Sequence, residues 1–260
     1  MFKDCMKSFQ NKVLTWYSKN KRDLPWRKTT DPYKILVSEV MLQQTQVDRV
    51  IPFFNQWLKE WPDVKSLAKA DTHRLLELWS GLGYNNRALR LRKLCQFLVE
   101  KNNGEMPRQK DVLLSLPGIG PYTAGAVMAF AYNKEVAVVD TNIRRVFIHE
   151  LKLDEDISND ELEKIALEVV PKGKSCIWYN ALMDYGALFK TARKTGIESL
   201  SKQGKFEGSD RQLRGDIVKR LLQEKSLKRD SIVDDRAERV IKGMVRDGVI
   251  VVEKNIVSLP

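Results

Sequence analysis

Two carboxylates stand in surroundings that would change their chemistry. Glu39, in Ser38-Glu-Val-Met, lies inside apolar sequence. A carboxyl group half-buried there has a raised pKa and can hold a proton at neutral pH, as a general acid must. Composition alone reads it instead as a glutamate on a solvated helix surface. Asp140 ends the apolar run Val136-Ala-Val-Val and precedes Thr141-Asn-Ile-Arg-Arg. An aspartate at that point caps the helix that follows, and it also leaves a fixed negative charge there. An acid together with an anion serves a reaction in which a poor leaving group is protonated while positive charge builds next to it.

A third feature belongs to the backbone. In Leu116-Pro-Gly-Ile-Gly-Pro-Tyr-Thr-Ala-Gly a helix ends at about Ser115, and Pro117, Gly118 and Gly120 force a tight turn. A second helix begins at about Pro121, where proline costs nothing because the first N–H groups have no intrahelical partner. The hairpin points amides and a helix N-terminus outward, an anion site that suits one nucleic-acid phosphate and is blind to base identity. Leu116, Gly118, Ile119, Gly120 and Thr123 are its candidate residues. The plain alternative is an ordinary turn between helices. The leucine before it and the small residues Thr123 to Ala126 after it favour the phosphate site.

The elements that must hold these groups are mostly helical. Periods near 3.6 predict helices over 6–19, 31–50, 71–79, 85–101, 110–115, 122–132, 142–151, 159–169 and 177–189. Pro32 sits in the first turn of the second of these, and Pro52 lies just beyond its end. Residues 191–208 read as a basic linker or surface loop. The pattern then changes to a helix over 210–224, a short helix or turn over 228–233, a helix over 235–247 and two short strands around Glu253-Lys-Asn. That succession resembles a winged helix. Two domains are expected, 1–206 and 207–260.

The net charge of +11 favours an anionic partner. Residues 207–260 hold 12 basic and 10 acidic residues, so +9 of the excess lies in the first 206. The tail is therefore not read as the main nucleic-acid grip. No apolar run is long enough to span a membrane, and the N-terminus lacks the apolar stretch of a secretory signal. A cytoplasmic protein is expected, nucleoid-associated if the source is bacterial. Cys5, Cys95 and Cys176 are too far apart for a CxxC pair and read as reduced structural thiols. No metal site is expected.

Six stretches then carry a resemblance that runs from about Val13 to Leu188. They are Asp23-Leu-Pro-Trp-Arg, Ser38-Glu-Val-Met-Leu-Gln-Gln-Thr-Gln-Val, Trp79-Ser-Gly-Leu-Gly-Tyr, the hairpin itself, Val139-Asp-Thr-Asn-Ile-Arg-Arg-Val and Met183-Asp-Tyr-Gly-Ala-Leu. In this order they resemble the helix-hairpin-helix DNA glycosylase superfamily that includes endonuclease III, and most of all its MutY adenine-glycosylase branch. The resemblance implies a mostly α, two-lobed helical fold, here with a small winged-helix-like α+β domain at the C-terminus. It implies base excision repair: binding double-stranded DNA as a monomer, flipping out a mispaired adenine and hydrolysing its N-glycosidic bond.

Residue by residue, the resemblance implies that Glu39 protonates an adenine ring nitrogen and serves the hydrolytic step. Asp140 stabilises the sugar cation, and Asn142 orients Asp140 or the water. Branches that also cut the strand carry a lysine where Tyr122 stands. Tyrosine forms no Schiff base, so Tyr122 implies base removal without strand cleavage. Gln44 is the implied wedge in the duplex, with Gln43 at i+4 from Glu39 on the same helix face. Trp26 and Arg27 match the rim of the base pocket.

Three departures qualify the resemblance. Phe189-Lys-Thr-Ala-Arg-Lys-Thr-Gly has no cysteine where many members carry an iron–sulfur cluster, so a clusterless protein is expected, with Lys190 and Arg193 supplying DNA contacts. The usual domain that checks for 8-oxoguanine opposite the adenine is replaced by the short tail. Asn85 and Asn180 stand where the family often has a second aromatic and a Glu or Gln facing the base. Release of mispaired thymine or another damaged base by the same mechanism is therefore an open alternative. A non-catalytic DNA-binding protein is the other; Glu39, Asp140 and Asn142 together weigh against it.

Overall fold

The computed structural model describes residues 2–200 and 204–260. Its helices are α1 (Phe2–Asn20), α2 (Pro32–Leu42), α3 (Val47–Glu60), α4 (Val64–Ala68), α5 (Thr72–Trp79), α6 (Asn86–Asn102), α7 (Lys110–Leu114), α8 (Pro121–Phe130), α9 (Thr141–Leu151), α10 (Asn159–Val169), α11 (Ser175–Asp184) and α12 (Ala192–Thr195). The tail follows as α13 (Asp210–Glu224), β1 (Ser226–Lys228), α14 (Ala237–Arg246), β2 (Val251–Glu253) and β3 (Ile256–Ser258). Contacts divide the chain into two units. The first holds residues 1–36, 107–115 and 119–202, and the second holds 37–106, 116–118 and 203–260. The tail thus groups with 37–106. Among the described residues no helix is long and apolar enough to cross a membrane.

In the first unit the apolar stripe of α1 does what its period requires. Phe9, Val13 and Tyr17 are buried. Phe9 meets Phe147 of α9 and Trp178 of α11 edge-on, with ring centroids 6.2 and 5.5 Å away. Burying each such ring contributes on the order of 2 kcal/mol. Gly125 lets α8 approach the segment before α9, because a Cβ there would stand 2.6 Å from the Ala137 carbonyl oxygen. That approach fixes where Asp140 begins its helix.

In the second unit Val50, Phe54 and Trp57 form the buried face of α3 at helical spacing. The Trp57 ring packs edge-on against Trp61 and Trp79, at 4.6 and 5.2 Å. The helix expected over 31–50 is two helices. α2 stops at Leu42, Gln44 takes a left-handed φ of 58°, and α3 starts at Val47. Pro52 lies inside α3, in its second turn, rather than beyond a helix end.

The tail has the expected helices and hairpin. Lys254 and Asn255, both at positive φ, make the tight turn between β2 and β3. A third strand completes an antiparallel sheet in the order β1-β3-β2. β1 is only three residues long, too short to show alternation in sequence. Within the second unit α13 packs on α5, and His73 Nε2 donates to the Leu222 carbonyl at 3.0 Å.

Candidate functional site

Asp140 is the N-cap of α9. Its Oδ1 accepts from the Ile143 amide at 2.7 Å, and its Oδ2 accepts from Asn142 Nδ2 at 3.1 Å. Arg145, one turn on, donates from Nη1 to Asn142 Oδ1 at 3.1 Å and from Nε to the Ile197 carbonyl at 3.2 Å. A relay thus runs from Arg145 through Asn142 to the carboxylate. Burial pushes the Asp140 pKa above the ordinary value, outweighing the Ile143 amide, Asn142 and Arg145, which all lower it. Tyr122, partly buried on α8, packs against the same core.

The relay depends on a glycine. A Cβ on Gly186 would lie 2.8 Å from the Asn142 carbonyl oxygen and 2.9 Å from its Cβ. The helix expected over 177–189 changes character here: α11 ends at Asp184 and a π-helical turn spans Tyr185–Phe189. Such turns often mark functional positions. Arg145 Nη1 also reaches the Gly186 carbonyl at 3.5 Å.

Asp184, to which the sequence reading gave no role, is fully buried. Arg27 binds it through both ends of the guanidinium, at 2.7 and 2.9 Å, and Arg22 adds Nε at 2.6 Å and its amide at 3.0 Å. Burial pushes the Asp184 carboxyl up, but Arg27 and Arg22 overcome it and hold it below the ordinary value. Arg27, read from sequence as a base-pocket residue, is thus committed to an interior ion pair. Trp26 beside it is buried. Asn180 lies against Arg27, whose Nη2 is 3.5 Å from the Asn180 carbonyl, while the Asn180 amide group donates back to Cys176 O at 3.0 Å.

In the second unit Glu39 is only 6% exposed, on α2. The helix ends three residues later, so Gln43 and Gln44 stand exposed in the turn and not on the helix face of Glu39. Arg87 explains the break. Its buried guanidinium donates to the carbonyls of Val40 and Gln43, at 2.7 and 2.6 Å, taking up the free end of α2. It also donates to the carbonyls of Leu82 and Gly83, at 3.2 and 3.0 Å. One side chain therefore holds two exposed loop tips, Gln44 and Tyr84, each at positive φ. Asn85 precedes α6 without capping it through its side chain.

The hairpin has the expected backbone. Gly118 takes φ +82°, Gly120 is extended, and the helical ladder of α8 opens with the Ala124 amide donating to Gly120 O at 2.9 Å. Leu116 and Ile119 are buried anchors, and Gly118 and Gly120 are exposed. Thr123 is buried, so its side chain is not part of the hairpin's exposed surface. Arg193 is exposed, whereas Lys190 is 19% exposed and pairs with Glu150 at 3.4 Å.

The residues after α11 do not fit an iron–sulfur cluster. That stretch supplies no thiolate; the rings of Trp16, Tyr185 and Phe189 pack edge-on and tilted there, with Lys190 and Lys194 over Phe189. Cys95 is buried in α6 and Cys176 lies on α11, while the Cys5 side chain is outside the described residues. Among the described residues no three His, Cys, Asp or Glu side chains are grouped to hold a metal ion.

Comparison with known proteins identifies the family. The chain is 38% identical over 227 residues to an adenine DNA glycosylase of Mycolicibacterium smegmatis, covering 79% of this chain and 78% of that one. It is 36% identical over 200 residues to the Homo sapiens adenine DNA glycosylase, covering 72% of this chain but only 37% of the human protein. A thermostable thymine-DNA glycosylase superposes with a TM-score of 0.68 at 30% identity, over 75% of this chain and 91% of that one. An endonuclease III from a non-covalent DNA complex superposes at 0.66 and 24% identity, over 74% and 89%. Residues 37–172 match the HhH-GPD superfamily. With its glycine hairpin, capped Asp140 and these relatives, the chain belongs to the HhH-GPD superfamily of base excision DNA repair proteins.

Proposed function

We propose that this protein is a monofunctional DNA glycosylase, acting as a monomer on double-stranded DNA that carries adenine opposite 8-oxoguanine or guanine. The Asp140–Asn142 pair at the head of α9 carries the reading, in a chain whose relatives are named adenine DNA glycosylases. Glu39 gives its proton to a ring nitrogen of the flipped adenine. The bond from C1′ to the base then breaks and its electron pair leaves with the base. Asp140 stabilises the positive charge on the sugar. Water adds to C1′ and returns a proton to Glu39, leaving an abasic site. Tyr122 has no amine for a Schiff base, so the strand stays intact. The donor set after α11 supports a protein without an iron–sulfur cluster; iron and labile sulfide in the purified protein would overturn that point.

Single-turnover base release tests the reading on duplexes carrying A opposite 8-oxoguanine, A opposite G, T opposite G and uracil opposite G. Adenine release with strand breaks only after alkali supports it. Thymine release is the second reading, favoured by the thymine-DNA glycosylase likeness and by Asn85 and Asn180. Binding with no release from any duplex would instead indicate a non-catalytic DNA-binding protein.

Asp140→Asn is expected to lower base release by about 10²-fold or more, with a melting temperature unchanged or raised. Asn caps a helix as well as Asp. Because the folded-state pKa of Asp140 lies above its unfolded value, the ionised group costs stability at neutral pH, and Asn removes that cost. A lower melting temperature would make Asp140 a structural cap first. Gly186→Ala, which must push Asn142 aside, is expected to slow base release by roughly 10- to 100-fold and to cost about 1–3 kcal/mol in denaturant unfolding. Wild-type rates would show that the relay is not needed.

A further inference from the structure

The tail is nearly charge-balanced, and most of its arginines are spent on carboxylates. Arg214, Arg220, Arg229, Arg236 and Arg239 each pair with a carboxylate. Among the described residues, Arg211 of α13 instead donates to neutral groups. Its Nη1 lies 3.3 Å from the Tyr84 hydroxyl, and its Nη2 donates to the Gly204 carbonyl at 2.7 Å. Its charge is therefore not cancelled by a carboxylate.

Tyr84 is the tip of the Gly81–Gly83 loop, 38% exposed and at φ +50°. Its ring lies near two guanidinium groups, Arg87 at 5.5 Å and Arg211 at 5.8 Å. Arg87 ties that loop to the turn bearing Gln44. An exposed phenol flanked by cations, held by the same arginine as a polar loop tip, is suited to stack on a nucleobase beside phosphate.

We propose that Arg211 is a positioning residue through which the C-terminal tail takes part in gripping mispaired DNA, by setting the Tyr84 ring for contact with the duplex. The proposal rests on the glycosylase reading for its substrate. The docking of α13 on α5, with the His73 hydrogen bond, gives Arg211 a fixed base from which to act. It assigns the tail a function in the repair reaction beyond a structural appendage.

The test is a double-mutant cycle read in binding, with the full chain and a fluorescent duplex carrying A opposite 8-oxoguanine, beside the matched duplex. Arg211→Ala is expected to raise Kd for the mispaired duplex about three- to tenfold, more than for the matched one, at an unchanged melting temperature. Arg211→Lys should recover part of the loss, since it keeps the cation near the ring. In a Tyr84→Ala background Arg211→Ala should add little. Equal losses with both duplexes and in both Tyr84 backgrounds would make Arg211 an independent phosphate contact and overturn the proposal. An unchanged Kd would also overturn it. Because the readout is binding, a chain that releases no base would defeat the glycosylase reading while leaving the Arg211–Tyr84 coupling measurable.

Discussion

Glu39→Gln is expected to slow single-turnover base release by about 10²–10⁴-fold, the usual worth of a positioned general acid. The substitution keeps the size and hydrogen-bonding reach of the side chain and removes only the proton it can deliver. Glu39 is buried on α2, so water has little access to replace it as the acid. Little change is expected in the melting temperature or in Kd for the mispaired duplex, because glutamine fits the same space. The decisive comparison is the rate constant at saturating enzyme. A variant that releases adenine at the wild-type rate would remove Glu39 from the mechanism and leave Asp140 acting without a protein acid.

The second large effect concerns stability. Asp184→Asn should cost about 3 kcal/mol, the lower part of the range for breaking a buried ion pair, because both arginines are partly exposed, Arg22 more than Arg27. For a chain of this size that is a fall of roughly 6–12 °C in melting temperature. The loss arises from leaving two guanidinium groups without their carboxylate. The pH dependence has a definite sign. Asp184 is held below its unfolded value, so its contribution is fully present above the ordinary carboxylate range and disappears as pH falls through its own lower pKa. Wild-type stability measured against pH should therefore drop more steeply in acid than that of the variant. Identical acid limbs would show that the ion pair contributes nothing net. The same substitution frees Arg27, so a loss of base release larger than the loss of folded protein would connect this pair to the base pocket.

Much of this was legible in the chain. The period of Phe9, Val13 and Tyr17 foretold the buried face of α1, and Pro-Gly-Ile-Gly-Pro foretold a hairpin with Gly118 in a left-handed conformation. Asp140 before Thr-Asn-Ile foretold a capped helix, because capping needs only a side chain and an amide three residues on. The winged-helix-like tail was visible in its helices and β-branched strands, except for β1. Asp184 could have been noticed too: a lone carboxylate in the apolar run Ala-Leu-Met-Asp-Tyr-Gly must either be exposed or find a cation.

What the sequence determined by itself was therefore local: helix periods, caps, glycine turns and the types of residue available for acid and anion chemistry. Only the tertiary structure decided which groups meet. Arg87 ends α2 from 44 residues away, Arg27 meets Asp184 across 157, and Gly186 admits Asn142 by lacking a Cβ. Propensity and periodicity act over a few residues. A buried guanidinium is instead placed by the carbonyls and carboxylates that the fold brings around it, and those partners are set by packing.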